Sequence, residues 1–556
     1  MRVALRRSVV VGLLFGVGGV YLGAVGVLHM LDQRAVIVGV MSLAHAVLLA
    51  LGIGAGAMAA GGGQGVLLGR GALAGSLAFG CIALLAIAAA ALPLQSIFIE
   101  LAPPLVNFLC FGLGLSAGVA ALVAGGAVCG LLGSALRLAP PSGCRVFVAG
   151  VSGVIVAGVF QELIQLILQY EGVVGAIRDF LYTWEGLLPR GAGIVFAVCG
   201  AASLFVPVLR RGRTPGRVDR RRERLIWAGL ALLFLAVLPL LAGAYIGQVL
   251  MLVGLYILMG MGLNLEVGLA GLLDLGFVAF FAVGAYTTAL LTADSPHALM
   301  HVSYWTAMPM AVLLSVGVGV LFGLPVLGVR GDYLAVATLG LGEIVRVIVM
   351  SDFAAPLLGG AQGVLQIPKP SLGPIAFSGP VPLFYLTLAC AGVAAFVAWR
   401  LENSRLGRAW MALRDDEDVA QALGINLIRS KLLAYGLGAA FAGLAGSIFA
   451  VMLSSVYPSS FQLLISINVL ALIIVGGMGS LAGVVLGAIA LIGLPELLRE
   501  FGDDRYLFYG AVLIVMMRLK PEGLWPSEVR RRELHVDDAS SALDQGVDLV
   551  PAQPGE

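Results

Sequence analysis

Apolar runs of about 20 residues recur from one end of this chain to the other, each long enough to cross a bilayer as a helix. In lipid every backbone N–H and C=O must find a partner within the protein, which leaves such runs helical. They are continuous rather than alternating, which argues against a β-barrel. Composition excludes a soluble fold: 60% of residues are hydrophobic, 12% are charged, and mean hydropathy is +1.02. Soluble domains sit near roughly 45–50% and about 25%. The 77 glycines suit close helix packing in lipid. The expected fold class is an all-α polytopic membrane protein.

The runs place spans at about 8–30, 35–60, 72–94, 105–135, 145–168 and 191–210. A second set falls at about 225–243, 247–264, 274–293, 307–327, 333–351, 382–400, 431–453, 464–477, 480–499 and 505–518. The total is about 16 transmembrane helices. Between the sets, Arg210–Arg224 carries eight Arg, a composition that cannot enter hydrocarbon. The expected organisation is an accessory membrane domain over 1–210, a cytoplasmic Arg-rich linker over 211–224, a main membrane domain over 225–520, and a disordered cytoplasmic tail over 521–556. Arg6 and Arg7 before the first run resemble a signal peptide, but no A-x-A site comes after it, so a retained signal-anchor helix is expected.

Alternating these spans across the membrane puts most of the 33 Lys and Arg on one side. The other side receives Arg34, Arg178, Arg190, Lys369 and Arg505. By the positive-inside rule, both termini are then cytoplasmic. In the outer loop, Val173, Ile177, Phe180, Leu181, Trp184 and Leu187 recur at helical spacing. Two readings stand: a helix lying in the outer interface, or a loop packed on the bundle.

Several chemistries are excluded. A P-loop needs Lys after Gly, and none of Lys369, Lys431 and Lys520 stands after one, so the chain cannot hydrolyse ATP by that route. The six Cys form no C-x-x-C pair and the five His no metal spacing. No Ser/His or His/Asp/Glu constellation supports a membrane enzyme. No cofactor, metal or nucleic-acid partner is expected.

The longest polar loop between spans runs from Arg400 to Lys431. Asp415 or Asp416 can cap a short helix whose first turn holds acids such as Glu417 and which Gly424 ends. Val419, Ala420 and Leu423 then form an apolar face suited to a groove on a partner; the alternative is a solvated loop. Gly268-Leu269-Ala270-Gly271, just after Asn264, and Gly476-Gly477-Met478-Gly479 interrupt apolar sequence in the two halves of the main domain. Broken spans in both halves point to a transport pathway, and close packing of small residues is the competing reading. Glu343 and Arg346 lie mid-span at i and i+3, where they can pair or meet a substrate.

Four ordered stretches carry a family resemblance: Gly262–Gly276 with Ala282–Tyr286; Arg330–Gly340 with Gly342–Arg346; Gly407–Asn426; and Gly476–Ser480 with Leu494–Glu500. Over about 225–525 the chain resembles the branched-chain amino-acid permease family of ABC importers, M-subunit type (LivM-like). The resemblance implies a permease without its own ATPase site, driven by cytosolic ATPase subunits through Arg414, Asp415, Glu417, Val419, Ala420, Leu423 and Gly424. It implies a second permease on a separate chain, a periplasmic or extracellular solute-binding protein, and a place in the bacterial inner membrane. Pathway candidates are Asn264, Gly268, Gly271, Glu343, Arg346, Gly476, Gly477 and Gly479. Where the family carries a Gly-Gly-Pro-Asn-Gly-like element, this chain reads Gly359-Gly360-Ala361-Gln362-Gly363. The same machine carrying urea or a short amide is therefore a second reading, and a secondary transporter or channel a third. The loop at Arg400–Lys431 argues against the third.

Overall fold

The computed structural model describes residues 2–32, 34–59, 64–92, 101, 103–138, 141–161, 164–165, 168, 173–183, 186–211, 217–326, 328–329, 332–373, 375–497, 510, 513–514, 516, 518, 520 and 522–526. Of the expected tail only 522–526 are described, and there the Leu524 and Trp525 N–H groups donate to the Val475 and Gly476 carbonyls; the rest of the tail, most of the expected span 505–518, Trp184 and the middle of the Arg-rich linker lie outside the described residues. The fold is all-α: among the described residues nine helices are long and apolar enough to cross a membrane. Five further apolar helices have 10–17 residues. Among the described residues, strands occur only as pieces of two or three residues in loops.

The chain divides into two compact units, Met1–Ala228 and Gly229–Glu556. In the first, the long helices are Arg2–Ala24, Gln64–Ala91, Leu115–Leu138 and Pro189–Arg211. Gln64–Ala91 and Leu115–Leu138 approach backbone to backbone. A side chain at Gly71 or Gly75 would strike the Gly130 or Gly126 carbonyl of the facing helix. This small-xxx-small pattern on both partners packs helices in lipid without a hydrophobic driving force. The expected span 35–60 is shorter than its apolar run. Its first residues form strands Ala35–Ile37 and Met41–Ser42, and the helix is Leu43–Ala59. Ile37 pairs with Leu187, joining these strands to the hairpin Tyr182–Thr183/Gly186–Leu187. The helical face expected over 173–187 therefore ends at Leu181, and Leu187 is a buried strand residue. The expected span 105–135 is also broken, into Pro103–Leu109 and Leu115–Leu138.

The second unit begins inside the helical run Arg217–Leu263, which is interrupted at Gly243 by φ 82 and ψ −173. A π-helical turn, Asn264–Leu269, comes next and then a loop to Phe277. The expected span 274–293 begins only at Val278, because Asp274 turns the loop by accepting from the Gly276 N–H at 2.7 Å. The helix Val278–Thr292 has 15 residues, which at about 1.5 Å each is short of a roughly 30 Å core. It packs on the 27-residue helix Leu427–Leu453, where Gly284 meets the Gly443 backbone. Helices Tyr304–Val326, Asp332–Met350, Pro380–Glu402 and Leu463–Gly476 surround this pair. The last described span is bent, with Leu481–Ala488 passing through a π-turn, Ile489–Gly493, to Leu494–Leu497.

Candidate functional site

The polar loop after Pro380–Glu402 folds into two helices, Arg405–Asp415 and Glu417–Ala422. Ser404 caps the first, its hydroxyl accepting from the N–H groups of Leu406 at 3.1 Å and Gly407 at 3.3 Å. Asp416 caps the second, accepting from Asp418 N–H at 2.8 Å and Val419 N–H at 2.9 Å. Of the two acids the sequence offers, Asp416 is thus the cap; Asp415 closes the preceding helix, 3.6 Å from Arg414. Glu417 and Asp418 occupy the first turn, where the helix dipole favours negative charge. Gly424 ends the pair at φ 88, a left-handed backbone that suits glycine.

Three side chains tie this hairpin to the membrane helices. Trp410 is fully buried, and its Nε1–H donates to the Ser430 carbonyl at 2.9 Å. The Lys431 Nζ lies 2.8 Å from Glu417 Oε1, with the Lys431 side chain only 4% exposed and Glu417 23% exposed. The Arg414 Nη1–H donates to the Gly268 carbonyl at 3.0 Å. The expected apolar face splits: Val419 and Leu423 are exposed, while Ala420 is buried. Ala420 does not join them in facing outward, because its small side chain lets the short helix sit down on the chain itself.

The Gly268 carbonyl belongs to the π-turn. Within it Asn264 is buried, and its Oδ1 accepts from the Gly479 N–H at 2.8 Å. This bond joins the two glycine-rich interruptions, 215 residues apart. A side chain at Gly268 would strike Asn264 and the Gly479 nitrogen, and one at Gly271 would strike Arg414. Gly476 packs on the Gly483 backbone, and Gly477 on the backbone of Trp525 and Pro526. Asn264, Gly268, Gly271, Gly476, Gly477 and Gly479 therefore form one closely packed junction. The extra residue of a π-turn is what lets a helix end meet another chain segment in this way.

Glu343 and Arg346 stand apart from that junction. They pair on one helix face, with the Arg346 Nε–H donating to Glu343 Oε1 at 2.9 Å, and both are half-exposed. Arg346 borders a narrow cleft of about 10 Å³ with Gly342, Tyr286, Val278, Pro458 and Phe461. Outside the membrane helices, the Lys369 Nζ donates to the Val451 and Met452 carbonyls at 2.6 and 2.9 Å, closing the C-terminus of Leu427–Leu453. Burial pulls its ammonium below the usual lysine range.

Sequence reasoning passed over Trp410, Ser430 and Lys431 as supports, and over Glu266, Asp274 and Tyr435. Two signals were available: a lone Trp in a polar loop, and two carboxylates inside an apolar run. Among the described residues no group of three His, Cys, Asp or Glu could hold a metal.

The family model described as branched-chain amino acid transport system / permease component matches residues 245–517. The high-affinity branched-chain amino acid transport system permease protein LivM of Escherichia coli is 40% identical over 340 residues, covering 57% of this chain and 78% of its own length. Its Salmonella typhimurium counterpart is 41% identical over 295 residues, covering 49% and 68%. The probable branched-chain amino acid transport permease protein LivM of Methanocaldococcus jannaschii is 23% identical, covering 51% and 94%. No solved structure matches.

Proposed function

The chain belongs to the branched-chain amino-acid transport permease family, a family of multi-pass membrane proteins, and from that membership we propose that it is the transmembrane permease of an ATP-driven importer for branched-chain or similar apolar amino acids. Separate cytosolic ATPase subunits dock on the helix pair Arg405–Asp415/Glu417–Ala422, with Val419 and Leu423 as the apolar contacts. A second permease chain completes the membrane unit, and a solute-binding protein delivers substrate from outside. The protein lies in the bacterial inner membrane with both termini cytoplasmic, and residues 1–210 are an accessory membrane domain.

The observation that carries this reading is the hydrogen bond from Arg414 to Gly268. It connects the docking helices to the junction of both interrupted spans, so a displacement at the ATPase side reaches the broken helices without crossing solvent. The junction is packed, which suits a hinge. Arg346, at the edge of the narrow apolar cleft, takes the role of pathway lining, with Glu343 as its partner. Arg346 suits a carboxylate, and the apolar walls suit a branched side chain.

The test is uptake of labelled leucine by proteoliposomes holding the complete transporter, with ATP inside and binding protein outside. ATP-dependent uptake, competed by isoleucine and valine and not by urea or acetamide, is the expected result. Competition by urea or acetamide alone would move the substrate to the small-amide reading. Uptake independent of ATP would remove the importer reading.

A further inference from the structure

Glu266 lies in the middle of the π-turn Asn264–Leu269 and is 0% exposed, while Asp274 in the loop after it is 1% exposed. The two carboxylates face each other within hydrogen-bonding range. Neither oxygen of Glu266 meets a donor, and nor does Asp274 Oδ2; the other carboxylate is what they face. Tyr435, from the helix Leu427–Leu453, is also buried. Its hydroxyl has no hydrogen-bond partner, and it lies within the field of both acids.

The surroundings offer no compensating positive side chain among the described residues. Glu266 abuts the Gly438 backbone, where any side chain would strike its carboxylate. Asp274 Oδ1 accepts from the Gly276 N–H at 2.7 Å, and the Thr338 hydroxyl of Asp332–Met350 lies against the same carboxylate. The titratable groups that face the pair are each other and Tyr435. Arg414, the charged side chain packed on the same turn, gives its Nη1–H to the Gly268 carbonyl. Lys431, on the Tyr435 helix, pairs with Glu417.

Two touching carboxylates in a dry interior cannot both stay charged with nothing between them. Their repulsion is unscreened, and each has lost its hydration. One positive charge resolves the conflict. We propose that Glu266 and Asp274 form a site for one monovalent cation, a proton or a sodium ion. Occupied, the site clamps the π-turn to the Leu427–Leu453 helix and the Asp274 loop. Empty, it drives them apart at the junction the docking helices touch. Transport is thereby tuned by the cation.

The test uses the full-length chain purified in detergent. Melting temperature is monitored against pH in sodium chloride and in choline chloride of equal ionic strength. Glu266→Gln is the principal variant, because its amide can donate to Asp274 and replace the bound charge. If the cation is a proton, the wild-type melting temperature falls by a few degrees as pH rises. The unfolded chain releases that proton and the folded one must keep it, so rising pH favours unfolding. The variant's profile is flatter, and infrared spectra show a protonated-carboxyl band in the wild type that the variant lacks. If the cation is sodium, sodium chloride raises the wild-type melting temperature above that in choline chloride, the rise grows with concentration, and the variant loses it. Superimposable profiles in both salts for wild type and variant, with no carboxyl band, would overturn the proposal. Should Glu266→Gln fail to fold, Asp274→Asn takes its place under the same readings, and the wild-type band and sodium shift decide alone if neither variant folds: their joint absence overturns the site.

Discussion

Arg414 and Gly268 are 146 residues apart in sequence and joined by a hydrogen bond of 3.0 Å, from a guanidinium on the helix Arg405–Asp415 to a carbonyl in an interrupted apolar helix. The Gly268 carbonyl stands in the last turn of its helix, where carbonyls lack intrahelical donors, so the Arg414 side chain satisfies it and links the turn to the loop in one contact. Gly271, at φ 72, packs against the stem of the same Arg.

Arg414→Ala should therefore uncouple rather than unfold. A hydrogen bond from a charged donor contributes about 1.5–3 kcal/mol. Leucine uptake should fall about tenfold or more, while membrane level and ATPase co-purification stay near wild type. Arg414→Lys should recover part of the uptake, since an ammonium supplies a donor without the planar fork. Wild-type uptake in Arg414→Ala would show that the bond transmits nothing.

Docking should respond to the two exposed apolar residues. Val419→Asp and Leu423→Asp should each reduce ATPase co-purification with membrane level unchanged, because each puts a charge into an apolar contact. Ala420→Glu should behave differently. Ala420 is buried, so a carboxylate there disrupts the helix seat and lowers the amount of folded protein. Loss of docking in Ala420→Glu at full protein level would reverse this division.

The Lys431–Glu417 pair should show unequal costs. Lys431 is 4% exposed and Glu417 23%, so the ammonium that loses its partner is less hydrated than the carboxylate. Glu417→Gln should lower the melting temperature more than Lys431→Met, toward roughly 3–5 kcal/mol for breaking a buried pair. The double variant should cost less than the two singles together. Equal single effects that add fully would mean the pair is not coupled.

Glu343 and Arg346 are half-exposed beside the cleft, so their pairing stabilises the fold only modestly. Glu343→Gln and Arg346→Gln should each depress uptake with melting temperature nearly unchanged. The exchange Glu343→Arg with Arg346→Glu should restore more uptake than either exchange alone if pairing is what matters. Restoration failing while the fold persists would assign Arg346 to substrate contact on its own.

The features legible in the sequence were those that depend on local composition. Continuous apolar runs compel helices in lipid, and eight Arg between Arg210 and Arg224 mark a segment that cannot enter it. Asp416, the acids after it and Gly424 spelled out a short capped helix, because capping involves neighbours within four residues. Glu343 and Arg346 could be paired from spacing alone, since i and i+3 share a helix face.

Tertiary structure decided everything that depends on which distant segment arrives. No local rule brings Asn264 to Gly479 or Arg414 to Gly268, and both glycine interruptions read equally well as pathway or as packing until the other was seen against them. Ala420 and Val419 are adjacent and both apolar, yet one is buried and the other exposed, because the helix is too short to carry a periodic signal and its seat is set by Trp410 and Lys431. Glu266 and Asp274 stand eight residues apart in the sequence, a spacing from which no contact follows. Only the π-turn, which adds a residue to the helix and rotates the segment after it, brings their carboxylates together. The sequence by itself determined which segments enter the membrane, because transfer free energy sums over neighbours along the chain; the fold decided which of their polar atoms meet, because that depends on helix rotation and close approach.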